Sequence, residues 1–180
     1  MRTFMAVEVP ENVRRKIDNF LKEKATKNLP IKWVRFDNLH ITLQFLGEID
    51  ESKKKEIAAV IAEIARKFTP FQVKLEGIGC FPNPRNPRVL WIGAKEGAEK
   101  LCEIAQNLET TLSRFGIKEE KRFHPHLTIG RIKTSCKVDN ILEKNIETEP
   151  FQVNSITLFK STLRSEGPIY EALENFALIR

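Results

Sequence analysis

Long apolar runs are missing from this chain. No segment approaches the roughly 20 residues that a membrane helix needs, and the N-terminal residues carry no signal-peptide pattern. Met1-Arg2-Thr3 passes at once into an alternating, strand-like segment. The expectation is a soluble, cytoplasmic protein with no membrane partner. Cysteine is scarce as well. Cys80, Cys102 and Cys136 stand far apart, with no Cys-x-x-Cys and no Cys/His cluster. Such spacing argues against a disulfide framework and against a structural zinc site, leaving three reduced thiols packed as small hydrophobes. A Gly-x-Ser-x-Gly elbow is also lacking, which disfavours a Ser-His-Asp hydrolase. Histidine occurs only three times, at His40, His124 and His126.

Hydrophobic residues make up 41% and charged residues 30% of the 180 positions, the proportions of an ordinary globular protein. The length suits one compact domain or two small lobes sharing a core. The net charge of +6 and a sequence pI near 9.3 are compatible with a polyanionic partner such as RNA. They are equally compatible with a basic protein that binds no nucleic acid.

Two pairs of strings recur. Pro70-Phe-Gln-Val73 returns as Pro150-Phe-Gln-Val153, an offset of 80 residues (150 − 70). His40-Ile-Thr-Leu43 is echoed by His126-Leu-Thr-Ile129, an offset of 86 (126 − 40). Two similar offsets in the same order indicate an internal repeat. Periodicity supports it. Residues 2–9 predict a strand, 11–25 a helix after Pro10, 40–47 a strand ended by Gly47, 51–68 a helix and 71–81 a strand. In the second half, 88–94 predicts a strand, 97–115 a helix, 126–132 a strand, 138–145 a short helix and 151–163 a strand. A last strand over 170–179 has no counterpart. Each half thus reads β-α-β-α-β. The expected fold is α+β: a bilobal pseudo-twofold duplication, with antiparallel sheets lining a central cleft and helices outside. One domain is expected over 1–180, with repeat halves at about 1–81 and 88–180. The join falls in the Pro/Arg-rich segment that holds Arg85 and Arg88.

His40 and His126 each open the pattern His-x-Thr-apolar on a predicted strand. With a side-chain period of two, His40 and Thr42 share one face while Ile41, Leu43 and Phe45 take the other. The same holds for His126 and Thr128 against Leu127 and Ile129. Each half then presents an imidazole and a hydroxyl to the cleft. Opening a cyclic phosphate needs a base for the attacking water and an acid for the departing sugar oxygen, on opposite sides of phosphorus. Imidazole serves either role near neutrality, and threonine hydroxyls can donate to the nonbridging oxygens. A single His on a strand is more often structural. Its recurrence on matching strands, in a chain with three histidines, reverses that reading. His124 lacks a partner motif and reads as structural.

Leu39-His-Ile-Thr-Leu-Gln-Phe-Leu-Gly47 and Phe123-His-Pro-His-Leu-Thr-Ile-Gly-Arg131 resemble the two signature motifs of the two-histidine phosphoesterase superfamily. More narrowly, the chain resembles the RNA 2′,3′-cyclic phosphodiesterases, also known as 2′-5′ RNA ligases. Ile31-Lys-Trp-Val34, the Pro/Arg loop with the Val-Leu-Trp91 that follows it, and residues 158–170 extend the likeness over nearly the whole chain. The resemblance implies that His40 donates a proton to the leaving 3′ oxygen, that His126 activates water, and that the product carries a 2′-phosphate. It further implies reversible, ATP-independent 2′-5′ ligation, no metal and no cofactor. Its substrates would be RNA ends bearing a 2′,3′-cyclic phosphate, tRNA fragments being candidates. The histidine motifs alone do not say which imidazole is the acid.

Arg131 matches a phosphate-contacting arginine of these relatives, yet its odd offset from Thr128 turns it off that face. Either the strand bulges near Gly130 or Arg131 reaches round the strand end. Arg85 and Arg88 either grip RNA backbone or are solvated charges. One exposed aromatic is expected to stack on the terminal base. Ser161 and Arg164 stand in the matching segment without an assigned role. The rival readings are a cyclic phosphodiesterase of small nucleotides and a non-catalytic RNA-binding module. A metal-dependent phosphodiesterase is disfavoured, because no carboxylate accompanies either motif at ligand spacing. A monomer is the default expectation.

Overall fold

Pro10 stops the first strand and starts the first helix, a position where its missing N–H costs nothing. In the computed structural model, which describes residues 1–24, 28–119 and 121–179, β1 spans Arg2–Glu8 and α1 spans Glu11–Lys24. Residue 25, the end of the helix expected from periodicity, lies outside the described residues. Val13, Ile17 and Leu21, spaced by four, are all buried on one side of α1. The following elements are β2 (Ile31–Trp33), β3 (His40–Glu48), α2 (Glu51–Ala65), β4 (Phe71–Val73) and β5 (Leu75–Phe81). The second half holds β6 (Val89–Ala94), α3 (Ala98–Leu112), β7 (His126–Ile132), α4 (Asp139–Leu142), β8 (Phe151–Val153), β9 (Ser155–Arg164) and β10 (Gly167–Ala177). Short 3-10 turns at Phe36–Asn38 and Ser113–Phe115 lead into β3 and close α3.

The helices form for local reasons and are retained by packing. Asp50 caps α2 by accepting the Lys53 N–H at 2.7 Å, an N-cap bond of the kind worth about 1 kcal/mol. Ile57, Val60, Ile61 and Ile64 then bury one stripe of α2, and Leu101, Ile104, Leu108 and Leu112 one stripe of α3. Each such side chain contributes about 1.5–3 kcal/mol on removal from water.

All sheet pairing is antiparallel. One four-stranded sheet runs β10-β9-β1-β3 and the other β2-β7-β6-β5. Two strands of each half have crossed over: β2 and β5 join the sheet of β6 and β7, while β9 and β10 join that of β1 and β3. The segments 71–81 and 151–163, each expected as one strand, are therefore each two. They break at Lys74 and Asn154, where the backbone leaves one partner for another. The two Pro-Phe-Gln-Val strings pair with each other as β4 and β8, with Gln72 opposite Gln152 at the centre. Periodicity sees extended chain in both pieces but not the change of partner.

Strand β2, absent from the expectation, pairs with β7 through Trp33 and Gly130. Gly130 admits it, because a Cβ there would lie 2.9 Å from Ile31 and 3.1 Å from Trp33. Gly97, just ahead of α3, has φ +82°, and a Cβ on it would lie 2.3 Å from the Gln72 carbonyl oxygen. Gly97→Ala is expected to destabilise the protein by about 2–3 kcal/mol through left-handed strain and this clash. Urea unfolding would measure it, and a midpoint matching the parent would contradict the packing described.

Candidate active site

Strands β3 and β7 present their side chains in the same order. His40 and Thr42 are half-buried, while Ile41 and Leu43 behind them are buried; His126 and Thr128 stand the same way before Leu127 and Ile129. After the threonine, each ladder slips by one residue. Thr42 lies opposite Ala6 but Gln44 opposite Met5, and Thr128 opposite Trp91 but Gly130 opposite Leu90. Each strand thus carries a β-bulge at the same place. Two consecutive residues turn inward, and the next returns to the cleft face: Phe45 in one lobe, Arg131 in the other. Of the two routes open to Arg131, the bulge is the one taken. Phe45, read as packing under the helices with Ile41 and Leu43, is instead 55% exposed and lines the cleft.

The imidazoles are fixed by one device used twice. His40 Nδ1 lies 2.6 Å from the carbonyl oxygen of Asn38, and His126 Nδ1 lies 2.5 Å from that of His124. A carbonyl only accepts, so Nδ1 carries the proton in both rings. In the neutral form Nε2 is then the nitrogen that carries the lone pair. The Thr42 hydroxyl donates to His40 Nε2 at 2.8 Å. His124, read as structural, contributes its backbone carbonyl, while its ring packs on Trp91 at 4.8 Å.

Burial disfavours the charged imidazole. His40 stands among Phe4, Tyr170 and Phe159 at centroid distances of 5.1, 5.1 and 6.5 Å. Burial, with Arg131 and His126 across the cleft, pushes its pKa down to about 4 against the opposing bond to Asn38. Burial also lowers His126, helped by the charges of His124 and Arg131. Both shifts favour the neutral ring in the free protein.

Both His/Thr pairs and Arg131 line one cleft of about 890 Å³. Its cations are Arg2, Lys32, Arg35, Lys121, Arg122 and Arg131, set against the carboxylates Glu109, Glu119 and Glu166. Arg85 and Arg88 do not line it; they stand exposed on the loop 82–88 beside it. Sequence reasoning missed Arg2, Lys32, Arg35, Lys121 and Arg122 as cleft residues. Lys32 stood inside a string already noted, but the pairing of β2 with β7 that brings it there left no periodic signal. Among the described residues, no group of three or more His, Cys, Asp or Glu side chains could hold a metal ion. No described helix is long and apolar enough to cross a membrane.

Fold and cleft together define a class: duplicated α+β proteins of two antiparallel sheets, with paired His-x-Thr strands turned into one basic cleft. The chain belongs to the LigT-like phosphoesterase family, whose model matches it twice, over residues 7–91 and 92–170. The RNA 2′,3′-cyclic phosphodiesterase of Methanocaldococcus jannaschii is 41% identical over 98% of this chain and 100% of its own length. That of Aquifex aeolicus is 40% identical over 99% of this chain and 97% of its own. A crystal structure from Thermus thermophilus matches with a TM-score of 0.86 at 32% identity, covering 99% of this chain and 98% of that one.

The unfolded chain takes a proton on His40 near pH 6.5, the folded chain only near 4. Unfolding therefore binds a proton between these values, and stability falls as pH is lowered through that window. Replacing His40 by Gln is expected to remove about 2 kcal/mol of the stability otherwise lost between pH 7 and roughly 4.5. Urea unfolding at the two pH values measures this, and identical losses in parent and variant would refute it.

Proposed function

We propose that this protein hydrolyses 2′,3′-cyclic phosphates at RNA ends to 2′-phosphates without a metal, His40 and His126 acting as the acid–base pair. The carrying observation is that two His-x-Thr strands, bulged alike and locked alike at Nδ1, turn both imidazoles into one basic cleft. The names of relatives about 40% identical over nearly the full chain point the same way. The cations of the cleft and its size suit a nucleotide end. Residues 1–180 then act as one two-lobed domain, and the cytoplasm is where such RNA ends would be met.

In this reading the water oxygen attacks phosphorus from the His126 side and gives its proton to His126 Nε2. The bond from phosphorus to O3′ breaks opposite it, and His40 Nε2–H protonates O3′. The 2′-phosphate and a 3′-hydroxyl result. Thr42 and Thr128 donate to the nonbridging oxygens, and Arg131 pairs with their charge. Phe45, the counterpart of Arg131 on the other strand, offers its ring to the terminal base. Arg85 and Arg88, outside the cavity, meet RNA backbone beyond the last nucleotide. A 5′-hydroxyl in place of water would give a 2′,5′ linkage by the same displacement, without ATP.

A neutral His40 has no proton to give, so the acid role depends on the bound phosphate. An anion at hydrogen-bond distance offsets desolvation and favours imidazolium. The alkaline limb of kcat is accordingly expected at higher pH than that of kcat/KM, since the former reports the complex and the latter the free enzyme. Coincident limbs would mean that substrate does not restore the proton.

The deciding assay is conversion of a short RNA ending in a 2′,3′-cyclic phosphate, in excess EDTA. The parent should yield a 2′-phosphate end. His40→Ala and His126→Ala should each lose about 10²–10⁴-fold in kcat/KM with unchanged circular dichroism. An inactive parent on RNA would move the function to small cyclic nucleotides, tested beside it, or to RNA binding alone.

A further inference from the structure

Duplicated strands make the two histidines look equivalent, yet their surroundings differ by one element. Strand β10 has no counterpart in the second sheet, whose fourth strand is β2, on the other flank. The start of β10 reaches back to the turn ahead of β3. There the Asn38 side chain donates from Nδ2 to the Pro168 carbonyl at 2.9 Å, while its own carbonyl accepts from His40 Nδ1. Two residues beyond Pro168, the Tyr170 ring meets His40 edge-on, at 5.1 Å and 89°, and closes on Phe4 at 5.0 Å. His126 has Phe81 edge-on at 5.0 Å, but its other neighbours are Trp91 at 6.1 Å and the exposed His124. No side chain of an unduplicated strand is stacked on it among the described residues.

We infer that Asn38 and Tyr170 are positioning residues that make the two imidazoles chemically inequivalent: β10, tied down through Asn38, sets against His40 an aromatic wall that His126 lacks. One residue performs both tasks on the His40 side, since Asn38 orients the ring through its backbone and anchors the wall through its side chain. Loosening that anchor frees the wall without touching the imidazole. The inference deepens the proposed function and rests on it for its catalytic consequence: the ring behind the wall gains its proton only with a bound anion, and the other accepts a proton from water.

Other charges face His40 from the elements around it. Arg131 and His126 lie across the cleft on β7 and both disfavour its protonation. Glu8, opposite His40 in the β1–β3 ladder, accepts a hydrogen bond from Thr157 at 3.0 Å. Arg2 stands near the Tyr170 hydroxyl. Burial is nevertheless the leading cause of the depressed His40 pKa, and the Tyr170 ring is part of what buries it, so removing the wall should raise that pKa.

The test is an NMR titration of the imidazole carbons in the substrate-free protein, for the parent, Tyr170→Phe, Tyr170→Ala and Asn38→Ala. In the parent, His40 should titrate well below His126. Tyr170→Ala should raise His40 by about one unit or more, Asn38→Ala should raise it in the same direction, and Tyr170→Phe should not. His126 should stay put in all four. His40 and His126 titrating together in the parent would overturn the inference. So would a His40 unmoved by Asn38→Ala, a variant that leaves every buried side chain in place, or equal shifts of both histidines in Tyr170→Ala. Substrate is absent from these titrations, so failure of RNA hydrolysis and failure of this inference are separate results.

Discussion

The antiparallel ladder between β4 and β8 is the constraint on which the rest of the molecule depends. Val73, Phe151 and Val153 in it are buried, so their backbone N–H and C=O groups must find partners within the protein. The ladder pairs them across the pseudo-twofold, Phe71 with Val153 and Val73 with Phe151. Beside the ladder, Thr148 accepts the Leu75 N–H on its hydroxyl at 3.1 Å and donates its own N–H to the Leu75 carbonyl at 2.9 Å. That junction stands where β5 leaves for the sheet of β6 and β7. Each four-stranded sheet takes two of its strands from the other half. Neither half can close its core alone, which is what holds two separate His-x-Thr strands at a fixed distance across one cleft.

Within that frame the chemistry is set by short-range devices. A bulge after each threonine turns the following side chain back to the cleft, and a carbonyl two residues before each histidine accepts from Nδ1–H and so leaves Nε2 as the unprotonated nitrogen. Duplication explains why both devices occur twice. The differences sit where duplication ends. Phe45 and Arg131 occupy the same position after the bulge, one apolar and one cationic, and β10 covers His40 alone. A pair of identical imidazoles would be a poor acid–base couple, because one must hold a proton while the other lacks it.

Much of this is legible in the amino-acid sequence. The alternation of strand and helix, the repeat, and the His-x-Thr pairs follow from spacings of two and of three to four residues, which are local properties of a chain. Residues 40–48 and 126–132 fold as strands because alternate positions there are apolar. The α2 and α3 stripes are equally local. Strand β2 escaped notice because three residues carry too little periodicity to register, and Gly130, which admits it, looks like any other glycine. The segments 71–81 and 151–163 read as single strands because extended backbone has the same pattern whichever sheet it joins.

What the sequence by itself determined is the inventory: a duplicated α+β chain carrying two imidazole–hydroxyl pairs on equivalent strands. Tertiary structure alone decided which sheet each strand completes, where Arg131 and Phe45 point, and how dry each histidine is. The physical reason is range. Side-chain alternation is written along the chain, whereas strand partners, bulges and burial arise from contacts between residues such as Asn38 and Pro168, 130 positions apart.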